Sequence, residues 1–316
     1  MTFGEDEIFK EYYEREIKNS NLENICSANN MIEAAEKCKN GVDWKESVQR
    51  YNINQLINVR ASQKAIRDGS YKQKSLVEFP LSERGHTRDI KSHHISDRVV
   101  QKSLNDNVLM PRIQPYLIYN NGASIKNKGL DFTRTHFEID MRESYSLLGS
   151  DCYVLLIDFS KYFDNIQHAK ILEYLSQFLN PDEYAFVELC FKEFEVDVSY
   201  MTDEEYAVCM TTIFNSLLYA EIDKSLRTSE KIMKKSIGIG SQLSQITGVY
   251  YPHEIDNYCT IVRGNRFYGR YCDDTYLFGT KEQLLDILYN GIIPICNRLG
   301  IFINMKKTKI QNVEKE

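Results

Sequence analysis

The sequence predicts an α+β protein, with helices dominating the N-terminal portion and strands and helices mixed in the C-terminal half. Three observations carry that prediction. The apolar run "YVLLID" (153–158) has strand length and reads as a strand buried on both faces. The stretch "RFYGRYCDDTYLFG" (266–279) reads as two short aromatic-rich strands around a tight turn. A helical pattern over 281–298, closed by Gly300, then leads to a further strand, "IFIN" (301–304). Strand, helix, two strands, helix, strand is an arrangement of ferredoxin-like type.

Taken in order, residues 5–60 read as amphipathic helices, with Trp44 as an anchor. "ASQKAIRD" continues as a helix broken at Gly69, and "SLVEFP" is an extended run stopped by Pro80. Ser96 is the N-cap expected for a helix with apolar residues at 99, 100, 104, 108 and 109. A basic helix is expected after Asp131. Beyond the strand at 153–158, a helix starts near Asp164 and Asn165 and carries Ile166, Ala169, Leu172, Leu175 and Leu179 on one face. This organisation divides the chain into 1–60, 61–150 and 151–316, with an acidic helical insert at about 180–230.

Composition narrows the function classes. No run of about 18 apolar residues occurs, so no membrane-spanning helix is expected. The N-terminal "MTFGEDEIFKEYYER" lacks an apolar signal core, which points to a cytoplasmic location. Eight cysteines without a CxxC pair fit reduced thiols better than disulfides or zinc ligands. The net charge of −6 is uneven: nine acidic residues and one lysine lie between Asp182 and Glu205, and without that segment the charge becomes +2. Basic residues are frequent in "VRASQKAIRDGSYKQK" (59–74) and "SIKNKGLDFTR" (124–134), and local patches, not totals, govern phosphate affinity.

The doublet Asp273–Asp274 is the anomaly, because aspartate is a poor strand former and adjacent like charges repel. If the hairpin lies beside "YVLLID", the end of that strand brings Asp158 to the same edge and three carboxylates cluster. Two unit charges about 4 Å apart repel by roughly 4 kcal/mol at an effective dielectric of about 20. Divalent cations resolve the conflict: carboxylates are hard oxygen ligands suited to Mg²⁺, and two such ions can activate a hydroxyl and stabilise a leaving pyrophosphate.

Five stretches together resemble the reverse transcriptase family. "YCDD" (271–274) is similar to its Y-x-D-D signature, and "LLIDFSKYFDNI" (155–166) to its first catalytic motif. "HISDRVVQKSL" (94–104) resembles the segment that precedes this motif in group II intron, retron and defence-associated enzymes. "GIGSQLSQ" (238–245) resembles the glycine-rich turn that supports template and incoming base, and "INMKKTKI" (303–310) the later lysine motif.

The resemblance implies a right-hand polymerase with a ferredoxin-like palm, mostly helical fingers and an N-terminal helical extension, without a recognisable thumb in this chain. It implies that Asp158, Asp273 and Asp274 hold two Mg²⁺ ions, or Mn²⁺, with the Phe159 carbonyl as a further ligand. Phe163 is implied as the steric gate against a ribose 2′-hydroxyl. Arg88 is implied as a triphosphate-binding arginine of the fingers, a role suited to a bidentate guanidinium, and Arg84 as a substitute for the basic residue that Ser82 replaces. Gly240 and Ser241 would let backbone approach the base pair, and Lys307 would assist departure of pyrophosphate. The implied partners are deoxynucleoside triphosphates, an RNA template or structured non-coding RNA, the DNA product, and an accessory protein or second copy, with no membrane.

The chain departs from the family where Ile239 occupies the place of an expected glutamine and Gln242 is out of register. Such departures resemble abortive-infection and phage-defence enzymes, so the expectation is RNA-directed DNA synthesis in prokaryotic antiviral defence. The rivals are untemplated or protein-primed DNA synthesis on the same fold, and a non-catalytic RNA-binding scaffold. An RNA-directed RNA polymerase would use an acid such as Asp164 to read the ribose hydroxyl, which Phe163 would block.

Overall fold

A computed structural model describes residues 22–83, 85–220 and 222–315; Arg84 and the first third of the N-terminal extension lie outside the described residues. The chain divides into two compact units that are not consecutive segments. The first comprises Met1–Pro115, His168–Glu195 and Gly238–Ile246, and the second Tyr116–Gln167, Val196–Ile237 and Thr247–Glu316.

Among its described residues, the first unit is helical apart from one hairpin. The helix Ala28–Lys39 buries Met31, Ala34, Ala35 and Cys38, a single stripe at helical spacing, and packs on the helix Ile95–Leu104. The latter buries Ile95, Val99, Val100 and Leu104. It starts two residues earlier than an N-cap at Ser96 predicts. His94 is the N-cap, and its Nδ1 accepts the Ser96 N–H at 3.2 Å, so an imidazole replaces the expected hydroxyl. The helix Gln55–Arg67 ends just before Gly69, which adopts φ +71°. Trp44 anchors nothing, since it is 71% exposed.

Strands β1 (Val77–Glu83) and β2 (His86–Ser92) form the hairpin. Pro80 sits inside β1 opposite Asp89 rather than ending it. The sheet has only these two strands, so the N–H that proline lacks falls on a strand that has one ladder partner. Helices His168–Ser176 and Pro181–Phe191 also belong to this unit. Ile166, Leu172, Leu175 and Leu179 are buried as predicted, but Ala169 is exposed and Ile171 is buried instead. A short 3₁₀ turn, Tyr162–Asn165, precedes the helix and shifts its face by this amount.

The second unit is built on a four-stranded antiparallel sheet. Its strands are β3 (Tyr153–Ile157), β4 (Tyr268–Tyr271), β5 (Asp274–Gly279) and β6 (Lys309–Asn312), in the order β6-β3-β5-β4. In chain order this is 4-1-3-2, the ordering of a βαββαβ unit. Neighbouring Val154 and Leu155 are both buried, so both faces of β3 are covered. On one face Val154, Tyr276 and Phe278 pack with Phe137 and Met141 of the helix Leu130–Leu148.

Three sequence expectations need correction here. The fourth sheet strand is Lys309–Asn312, whereas Phe302–Ile303 pairs with Phe159–Ser160 in a separate two-residue ladder. The helix Leu130–Leu148 is not basic: its two arginines are outnumbered by Asp131, Glu138, Asp140 and Glu143. The helix predicted over 281–298 is Lys281–Ile287, a π-turn at Leu288–Ile292 and Ile293–Leu299, interrupted where Pro294 lacks an N–H; Gly300 closes it at φ +70°. The acidic insert is shared between units: Pro181–Phe191 falls in the first, and the helix Asp203–Thr211 in the second.

Candidate active site

The hairpin of β4 and β5 closes with the pair Tyr271↔Asp274, leaving Cys272 and Asp273 as a two-residue loop. Cys272 has φ +59°, a left-handed conformation that favours glycine, so the loop is strained at its first residue. On the other side of β5, Ile157 pairs with Thr275. One step further along this ladder sets Asp158 across from Asp274, and cross-strand Cβ atoms are about 4.5–5.5 Å apart.

Asp158 is held from behind by the segment that follows Phe302–Ile303. Its carbonyl accepts the Asn304 N–H at 2.8 Å, and its own N–H donates to Thr308 Oγ1 at 3.5 Å. Lys307 Nζ lies 3.6 Å from Asp158 Oδ1, on a side chain that is 59% exposed. The expected ligand Phe159 is buried, and its backbone pairs with Ile303.

The electrostatics are unbalanced at this edge. Burial, and then the charges of Asp274 and Asp158, push the Asp273 carboxyl above the usual carboxylate range. Burial and Asp158 do the same to Asp274, with Lys307 partly opposing. The oxygen donors suit magnesium, and their mutual repulsion is what a cation relieves. The expected three-carboxylate cluster is not closed, however. Among the described residues, no group of three or more His, Cys, Asp or Glu side chains is gathered to hold a metal ion. Repulsion between like charges disfavours closing such a cluster without a cation, and Mg²⁺ commonly takes one or two carboxylates together with substrate phosphates.

Phe163 belongs to the 3₁₀ turn Tyr162–Asn165. Its ring lies against Gly248, where an added Cβ would come within 2.8 Å of Phe163 Cε1. The Tyr162 hydroxyl donates to the Gly248 carbonyl at 2.6 Å, fixing the same contact from a second side. Asp164 is buried and accepts from Ser216 N–H at 3.1 Å and Ser236 Oγ at 3.4 Å. It is engaged in holding loops, which leaves it poorly suited to reading a ribose hydroxyl.

The remaining candidates lie in the first unit. Arg88 is exposed on β2, opposite Leu81. Gly240 adopts φ +117°, and a Cβ there would meet the Lys91 carbonyl at 3.3 Å, so the close approach it permits is to β2. Ser241 Oγ accepts the Ser244 N–H at 2.8 Å, which makes it a cap for the helix Gln242–Tyr250. Sequence reasoning missed Gly248 and Arg270, both of which shape the second unit's site. The available signal for Arg270 was a lone charge inside an otherwise apolar, aromatic strand.

An α+β sheet that presents carboxylates at a hairpin tip beside the end of its central strand defines a class of acidic, cation-seeking sites. The family model described as "Reverse transcriptase (RNA-dependent DNA polymerase)" matches residues 83–316, and the chain belongs to that family. No curated protein matches the chain. The family match supports RNA-directed DNA polymerase activity, a nucleotidyl transfer that implies a nucleic-acid template and deoxynucleoside triphosphates as substrates. Family members generally use divalent metals, typically Mg²⁺. No helix among the described residues is long and apolar enough to cross a membrane.

Proposed function

We propose that this chain extends a DNA strand along an RNA template by divalent-cation-assisted nucleotidyl transfer, with Asp158, Asp273 and Asp274 as its catalytic carboxylates. The observation that carries this reading is the register of β3 against β5, which sets Asp158 across from the hairpin doublet. Residues 151–316 act as the palm, 61–150 as the fingers and 1–60 as a helical extension.

The reaction forms a bond between a primer 3′-oxygen and the α-phosphorus of the incoming nucleotide and breaks the bond to pyrophosphate. Bound Mg²⁺ or Mn²⁺ supplies positive charge that lowers the cost of bringing the hydroxyl and triphosphate together. The three aspartates hold that charge on the sheet edge, aided by the Phe159 carbonyl. Phe163 limits the space beside the sugar, and Gly248 keeps its ring in place. Lys307, 3.6 Å from Asp158, is near enough to follow charge developing on pyrophosphate. Arg84 and Arg88 bind the triphosphate, and Gly240 and Ser241 border the template. The departures at Ile239 and Gln242 support a place among cytoplasmic, defence-associated enzymes that work with a structured RNA, alone or with an accessory protein or second copy.

The test is incorporation of labelled deoxynucleotides on an RNA template with a DNA primer and Mg²⁺. The reading expects extension with deoxynucleotides, little with ribonucleotides, and none without template. Extension without template would favour the untemplated or protein-primed alternative, and RNA binding without any incorporation would favour the scaffold. Sequencing the nucleic acids that copurify with the protein identifies its template.

A further inference from the structure

Behind the hairpin tip lies a buried charge network that the polymerase chemistry does not use directly. Arg270, on β4, is 1% exposed, as is Asp256 on the helix His253–Asn257. Arg270 Nε donates to Asp256 Oδ1 at 3.0 Å and Nη2 to Asp256 Oδ2 at 2.6 Å, a bidentate pair. The Tyr268 hydroxyl donates to Asp256 Oδ1 at 2.6 Å, fixing the carboxylate from a third direction. The guanidinium then reaches two backbone oxygens: Nη2 to the Val249 carbonyl at 2.9 Å, and Nη1 to the Cys272 carbonyl at 2.7 Å.

That last bond lands on the one strained residue of the loop. Cys272, at φ +59°, stands immediately before Asp273, and its carbonyl lies outside the β4–β5 ladder. A non-glycine residue persists in such a conformation when its surroundings over-determine it. Asp256 matches the charge of Arg270, so what reaches the loop is a directed hydrogen bond from a rigid donor. An ion pair present only for stability would need no arm extended to the turn, and apolar residues often replace such pairs without loss.

We propose that Arg270, oriented by Asp256 and Tyr268, is the positioning residue that fixes the Cys272–Asp273 turn and thereby sets the affinity of the aspartate doublet for divalent cations. The inference rests on reading the doublet as a cation site. Arg270 touches no substrate. It acts through the Cys272 carbonyl, in the way that partners behind a ligand set its orientation.

The experiment measures Mn²⁺ binding to the full chain by the loss of its free-ion electron paramagnetic resonance signal, alongside thermal unfolding and steady-state extension. Asp273→Asn locates the site. The double variant Arg270→Met/Asp256→Leu removes both charges, so folding is retained while nothing donates to the Cys272 carbonyl. Its Mn²⁺ affinity should fall about tenfold or more, with kcat reduced and the KM for template–primer unchanged. Arg270→Lys should recover part of the affinity. Tyr268→Phe, which keeps the ion pair, should weaken binding by about threefold, so a folded variant exists even if the double one fails.

Wild-type Mn²⁺ affinity in the folded double variant, or in Tyr268→Phe, overturns the positioning role while leaving the cation site intact. An unchanged affinity in Asp273→Asn removes the cation site itself and the inference with it.

Discussion

Each unit contains a buried arginine gripping a buried carboxylate, and the two differ in what the remaining donor reaches. In the first unit, Arg112 pairs with Glu183 at 2.5 Å and donates to the Phe178 carbonyl at 2.7 Å. Glu183 also completes a capping box with Asn180 at the start of the helix Pro181–Phe191. These partners tie the turn after the helix His168–Ser176 to the cap of the helix that follows, so the pair acts as a staple of the fold. In the second unit, Arg270 pairs with Asp256 in the same bidentate way, but its spare donor holds the strained loop beside carboxylates whose charge Lys307 balances only in part. One network settles all its charges internally. The other leaves a charge imbalance in place and steadies the backbone that carries it.

This contrast assigns different consequences to similar changes. The largest effect belongs to the hairpin tip. Asp273→Asn should reduce deoxynucleotide incorporation by on the order of a thousandfold or more, because a cation ligand is lost, while unfolding is barely altered. Loss of incorporation accompanied by global unfolding would blur the distinction between the units.

Arg112→Met should do the reverse. It strands Glu183 as an uncompensated buried charge, at a cost of about 3–5 kcal/mol, read as a lower urea midpoint. The KM for template–primer in the remaining folded protein should not move. A changed KM at full stability would show that the staple also serves the site.

The first unit also predicts an acid dependence. Burial lowers the His93 imidazole to about 4, from a normal value near 6.5, and its ring packs edge-on against Phe194. The unfolded chain therefore binds the proton more readily between these values. The contribution is complete above pH 6.5 and is lost as pH falls toward 4, amounting to about 3 kcal/mol. His93→Gln should flatten that part of the stability–pH curve measured by urea unfolding, and an unchanged slope would remove His93 as its source.

The smallest effect is the sharpest for specificity. Gly248→Ala should push against the Phe163 ring and alter the preference for deoxy- over ribonucleotides by about tenfold, at nearly constant stability. Unchanged discrimination would detach Gly248 from the sugar gate.

The elements that position the site could be read in advance because their signals are local. Five apolar residues ending in Asp158, a two-residue loop bearing an aspartate, and Gly300 after a periodic helix each state their geometry within a few residues. Other features depend on partners distant in sequence. Whether Pro80 ends a strand depends on the sheet around it, and here a two-stranded ribbon accepts it. His94 caps a helix through a ring nitrogen, a role that residue preferences give to Ser96. Arg270 finds Asp256 across the turn of a helix and a strand, and Phe163 meets Gly248 from 85 positions away. That no three-carboxylate group closes among the described residues was equally hidden, since converging backbone positions do not fix where the side chains point.

Coupling between Asp158 and the doublet is what a shared cation site requires above all. A double-mutant cycle of Asp158→Asn and Asp274→Asn, read as Mn²⁺ affinity of the full chain, measures that coupling. Each single change should weaken binding by about tenfold or more, and the pair should lose much less than the two effects combined, because both remove ligands of one site. Strictly additive losses, or an Asp158→Asn protein that binds Mn²⁺ as tightly as wild type, would contradict it.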